Sequence, residues 1–133
     1  MTTPHQLSPE AMAFLAERHH ATLTTLRDDG SPHVVAVGFT YDPAAATARV
    51  ITFAGAVKAR NASHGGRAAL CQVDRGRWIT LEGPTRVTGD SAVVIAAVEA
   101  YARRYRQPGE RSDRVAIEIS VDRVLGSSRM KLL

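Results

Sequence analysis

The sequence predicts a small, mainly antiparallel β-barrel or sheet with a short N-terminal helix and a longer helix near the C-terminus, and three observations predict it. Short β-prone runs follow one another with Asp/Gly or Gly/Pro turns between them, a meander of hairpins instead of alternating strand and helix. Helical periodicity over more than a turn occurs only after Ser8 and after Asp90. The length of 133 residues fits a single domain spanning 1–133 with one core, and neither an internal repeat nor a low-complexity linker marks a second.

The elements follow in order. Ser8-Pro9-Glu10 is a helix start: Ser caps orphan amides, Pro suits the first helical position and Glu complements the dipole. Met12, Leu15, Ala16 and His19 then fall at helical spacing, which predicts a helix from about Pro9 to His19. Ala21–Arg27 and Pro32–Tyr41 flank the turn Asp28-Asp29-Gly30-Ser31 and read as a hairpin. On the second strand Val35, Val37, Phe39 and Tyr41 share one face; Val34, Ala36, Gly38 and Thr40 make the other. The small residues there permit close approach of something flat, although a barrel bend at Gly38 explains them equally simply.

A strand over about Thr47–Ala54 ends at Gly55, and a helical turn, Ala56–Ala62, follows. Arg67–Val73 and Arg77–Thr88 form the next hairpin, with a bend at Gly83-Pro84. Asp90 caps the long helix, whose Val94, Val98, Tyr101 and Tyr105 form one apolar stripe, and Gln107-Pro108-Gly109 stops it. Arg114–Val121 alternates Val115, Ile117, Ile119 and Val121 against Arg114, Ala116, Glu118 and Ser120, and Arg123–Leu133 reads as a short edge strand and tail.

Composition narrows the function. The first twenty residues lack a cationic region followed by an apolar run, so a cytoplasmic protein without a membrane anchor is expected. The lone Cys71 lies in the apolar run Ala68–Cys71 and reads as a structural thiol, and no Cys/His spacing fits a metal site. A formal charge of +4 favours an anionic partner. With 5% aromatic residues the chain is poor in the stacking platforms of single-strand nucleic-acid barrels. No catalytic triad or paired-carboxylate motif is visible.

One stretch carries the chemistry. From Arg49 to Asn61 a strand ends at a Gly turn and a helix begins, so free amides are available to an anion, with Lys58 and Asn61 on one face and Arg49 and Thr52 within reach on the strand. On the residues alone, a solvated basic face is the commoner explanation.

The segment Leu23–Phe39 resembles the first hairpin of the pyridoxamine-phosphate-oxidase-like split β-barrels, the FMN-binding split-barrel type. Ser31–Asp42, Arg49–Asn61, Gln72–Trp78 and Leu81-Glu82-Gly83 extend the likeness over nearly the whole chain, which most resembles the actinobacterial deazaflavin-dependent oxidoreductases of the biliverdin reductase type.

The resemblance implies a homodimer with coenzyme F-420, an 8-hydroxy-5-deazaflavin, in a groove between subunits. It implies that Ala54, Gly55, Ala56, Val57, Lys58, Arg60 and Asn61 line the phosphate end, with Arg49 and Thr52 on the strand before them. His33, Val35 and Val37 would run beneath the ring, and Gln72, Arg77 and Trp78 would close the groove from the neighbouring subunit. The implied reaction is hydride transfer from the reduced coenzyme to a conjugated, biliverdin-like tetrapyrrole, which needs positioning more than an acid–base pair. FMN as cofactor, a non-catalytic cofactor- or haem-binding barrel, and a basic nucleic-acid barrel are the alternatives.

Overall fold

The computed structural model describes residues 7–130, so the first six residues of the N-terminal reading and the last three of the tail lie outside the described residues. Helix α1 spans Pro9–Ala16, with the Ser8 side chain accepting from the Ala11 amide at 3.0 Å. It ends three residues before His19 because Glu17 is extended, and its carbonyl accepts two bonds from the Arg104 guanidinium, at 2.9 and 2.7 Å. Tertiary bonding wins over helical spacing there.

Strands β1 (Ala21–Leu26), β2 (Pro32–Val37), β3 (Thr40–Asp42), β4 (Thr47–Phe53), β5 (Arg67–Asp74), β6 (Arg77–Thr88), β7 (Arg114–Ser120) and β8 (Arg123–Gly126) join helices α2 (Val57–Ala62) and α3 (Ser91–Arg104). All strand pairs among them are antiparallel. Their order is β2-β1-β5-β6-β7-β4-β3, with β8 beside β6. The two ends of that order, β2 and β3, are consecutive in the chain, so the sheet curls round on itself and is split between them.

The split has a steric cause. A Cβ on Gly38 would lie 2.9 Å from the Tyr101 ring and 3.0 Å from the Tyr105 ring, and the Phe39 amide donates to the Tyr105 hydroxyl at 3.2 Å instead of continuing a ladder. The expected single strand Pro32–Tyr41 is therefore two, and the flat groups that approach its small residues are tyrosines of α3. The bend expected at Gly83-Pro84 is where β6 exchanges partners, from β5 and β8 on one side to β7 on the other. A Cβ at Gly83 would fall 1.8 Å from the Ser120 carbonyl oxygen, which only glycine allows.

Phe14, Leu23, Phe39, Leu70, Ile79, Leu81, Ile117 and Ile119 are the largest apolar side chains of the core. Each contributes roughly 1.5–3 kcal/mol by leaving water. Strand β7 departs from simple alternation: Ala116, Ile117, Glu118 and Ile119 are all buried, because Arg49 and Arg86 lie over Glu118 from both neighbouring strands. Helix α3 is capped by Asp90, as expected, but only Ala97 in it is buried. Val94 and Val98 are half-buried and Ile95 is 57% exposed.

Candidate functional site

The sheet's split, the end of β4, α2 and the chain after α3 surround a cleft of about 250 Å³. Ala36, Val37 and Gly38 form one wall, Thr52, Phe53 and Lys58 a second, and Tyr101, Pro108, Arg111 and Arg114 a third. Sequence position explains the second wall. Thr52 and Phe53 end β4, and the tight turn over Ala54 and Gly55, closed by the Ala56 amide on the Phe53 carbonyl at 3.0 Å, brings Lys58 back beside them. Helix α2 has no side-chain cap, so the protein supplies no acceptor for its first amides.

The three cations differ in their engagement. Lys58 is half-buried, and no group among the described residues pairs with its ammonium. Arg111 lies over the Phe53 ring at 4.2 Å and donates to both carboxylate oxygens of Asp113, at 2.8 and 3.1 Å. That pairing holds the Asp113 carboxyl below its ordinary value. Arg114 sits opposite Phe53 in the β4–β7 register and donates to the Gly109 carbonyl at 2.6 Å. With Asp113 counted, the cleft keeps a net positive charge and suits an anionic ligand.

Of the residues singled out in the sequence, Val37, Thr52 and Lys58 line this cleft, and the exposed Ala54 and Gly55 form the turn beside it. Arg60 and Asn61 face a neighbouring hollow with Val57, Arg27 and His64, and the Asn61 amide donates to Thr25 at 3.1 Å. Ala56 is buried. His33 and Val35 are half-buried on the face of β2 that turns inward, whereas Ala36 presents the opposite face of the same strand to the cleft. The cleft is thus lined by the end of β2, Ala36 and Val37, and not by His33 or Val35. The Nδ1 atom of His33 is buried and has no hydrogen-bond partner among the described residues.

Three further assignments are corrected. Arg49 is not available: its guanidinium bonds Glu118 at 2.9 Å and Asp42 at 3.4 Å, on a different patch of the surface. Gln72 is fully buried, donating to the Phe14 carbonyl at 2.8 Å and accepting from Arg104 at 2.6 Å, so it is a structural link between α1 and α3. Arg77 is bound by Glu17, in two bonds of 2.9 Å, and by Asp74 at 2.6 Å. Trp78 is 37% exposed beside Val73 on the outside of the sheet.

Glu17, His19 and Asp74 bring three metal-ligating atoms within 4.8 Å of one another. The Arg77 guanidinium bonds both carboxylates, and with His19 it holds the Glu17 carboxyl at about 2. This network fastens the end of α1 to the β5–β6 turn.

Arg111, Arg114, Tyr101 and Pro108 escaped the sequence reading. Arg114 enters the cleft through the pairing of β4 with β7, Tyr101 through its packing on Gly38 and Arg111 through its stacking on Phe53, contacts between residues some sixty apart that no local pattern announces.

The family model for pyridoxamine 5'-phosphate oxidase matches residues 7–128. A biliverdin reductase of Mycobacterium tuberculosis (strain CDC 1551 / Oshkosh), dependent on the reduced form of coenzyme F-420, is 54% identical over 96% of this chain and 93% of its own. Among solved structures, a conserved hypothetical protein of Mycobacterium tuberculosis is similar with a TM-score of 0.78, 20% identity, and coverage of 90% of this chain and 83% of the other. An F-420 reductase is similar with a TM-score of 0.68, 22% identity, and coverage of 85% and 94%. At these identities the two structures establish the fold.

Proposed function

We propose that this chain, which belongs to the pyridoxamine 5'-phosphate oxidase family, is an oxidoreductase that uses reduced coenzyme F-420 to reduce biliverdin. The observation that carries the reading is the 54% identity to a relative of that activity over nearly the whole of both chains. The cleft supports it. An unpartnered Lys58 beside Thr52, facing the small Ala36 at the end of β2, suits a flat ring joined to a phosphate.

Bound there, the reduced coenzyme supplies a hydride. The chain's own residues then have three tasks: Lys58 anchors the anionic end, the small Ala36 leaves room for the ring, and the wall formed by Phe53 and Tyr101 shields the cleft from water. FMN shares the phosphate and the ring shape, and it is the second reading because the family is named for an enzyme of pyridoxamine phosphate.

The working unit of this reading is a homodimer in the cytoplasm, each chain a single domain. Support comes from the outer face of the sheet, where Ala36, Thr22, Cys71, Thr80 and Leu125 form an uncharged row across five strands, next to a row that runs from Val34 through Thr24 and Ala69 to the Glu82–Arg123 ion pair. Val34 is 56% and Leu125 42% exposed, a face that a second copy would cover. Trp78, on the same side, would then reach toward the partner's cleft. None of the described helices is long and apolar enough to cross a membrane.

Mixing purified protein, reduced F-420 and biliverdin tests the reading: coenzyme oxidation and bilirubin formation should proceed together, well above the uncatalysed rate. Tight FMN retention without F-420 affinity would reverse the order of the two readings.

A further inference from the structure

We infer that Arg111 and Arg114 bind the carboxylates of the hydride acceptor, whose apolar body lies along the groove between α3 and the chain after it; this rests on the proposed reductase activity. The cationic cleft does not end at these arginines. They, with Pro108, also wall a larger groove of about 540 Å³, lined on its far side by Val94, Ile95 and Val98. The two hollows adjoin across these shared residues, with Lys58 in the first, apolar side chains in the second and the two guanidinium groups at the boundary.

Those guanidinium groups are oriented and only partly used. Stacking on Phe53 and the Asp113 carboxylate fix Arg111 through Nε and Nη2, and the Gly109 carbonyl fixes Arg114 through Nη2. Nη1 of Arg111, and Nε and Nη1 of Arg114, have no partner among the described residues. Preorganised donors of this kind select planar carboxylates. The groove's acidic residues, Glu99 and Glu110, oppose any acceptor placed with its carboxylates at the apolar end and so favour the orientation in which they meet the arginines. A dianionic, flat, largely apolar molecule such as biliverdin matches this division. The coenzyme's phosphate is left to Lys58, across the cleft.

The test compares Arg111→Gln and Arg114→Gln with the unaltered protein, using biliverdin and its dimethyl ester as probes and F-420 titration as a control on folding. Each substitution should raise the KM and the Kd for biliverdin by about ten-fold, the loss of a charge-assisted bond. Affinity for F-420, whose cleft these arginines also wall, should fall less than affinity for biliverdin, and binding of the ester, already weaker than that of the diacid, should fall no further. Unchanged biliverdin affinity in both variants would overturn the assignment, as would a loss of F-420 affinity in place of biliverdin affinity. If the unaltered protein does not oxidise the reduced coenzyme with biliverdin, the reductase reading fails. The equilibrium comparison of diacid and ester still decides the role of the arginines.

Discussion

Lys58 and Arg49 are two cations on one phosphate-like segment, Lys58 the firmer of the two by resemblance, and the fold separates them by what surrounds each. Lys58 has no partner among the described residues and so can meet a ligand at little cost, whereas Arg49 would have to abandon the buried Glu118. Lys58→Ala should weaken F-420 binding at least about ten-fold in a fluorescence titration while leaving stability within about 0.5 kcal/mol. Glu118 gives a pH prediction. Burial pushes its carboxyl up, but bonds from Arg86 and Arg49 outweigh that and hold it below its ordinary value. A depressed carboxyl stabilises the fold above its unfolded value, near 4.3, and loses that contribution as pH falls through the folded value. Thermal unfolding should therefore drop on acidification below about pH 4.5, and Glu118→Gln should lower stability at neutral pH while flattening this acid limb. Gln72 was legible as an exposed groove residue only by resemblance. Strand alternation, Leu70 and Gln72 inward against Cys71 and Val73, already placed it inside. Gln72→Leu would strand the Phe14 carbonyl and an Arg104 donor in the core, and should cost about 2–4 kcal/mol in denaturant unfolding.

At the scale of elements, most of the order was readable because hairpin turns and helix caps are local chemistry. Ser8 and Asp90 cap the helices they were expected to cap, and the register of β1 with β2 follows from the turn between them. What sequence could not show was the division of one strand into two at Gly38, since the cause, the tyrosine pair of α3, lies more than sixty residues away. The C-terminal end of α1 and the full stripe of α3 were out of reach for the same reason: Arg104 ends the first, and the second spends Tyr101 and Tyr105 on the split and leaves Val94 and Val98 to a groove. The two glycines of these joints should respond differently to substitution. Gly83→Ala forces a side chain against backbone that cannot move, and is expected to cost roughly 3–5 kcal/mol or to abolish folding. Gly38→Ala meets ring edges that can shift, and should cost about 1–3 kcal/mol while displacing Tyr101 and reducing F-420 affinity.

For the whole molecule, the sheet's curvature is what makes a site. It sets the β2–β3 split against α3 and brings the start of β7 beside the end of β4, so residues from four parts of the chain share one cleft. The same curvature leaves an outer face with an uncharged row and two exposed aliphatic side chains, and a Leu125→Asp, Val34→Asp double variant should convert a dimer to a monomer by light scattering, without loss of secondary structure. The central claim is that this cleft holds reduced F-420 for transfer to biliverdin. Its most direct test is anaerobic mixing of protein, reduced F-420 and biliverdin, followed at the absorbance of the oxidised coenzyme and of bilirubin. One bilirubin formed per coenzyme oxidised, with the rate at subsaturating coenzyme falling at least about ten-fold in Lys58→Ala, is the predicted result. Coenzyme oxidation no faster than without protein, or a rate indifferent to Lys58, would contradict it.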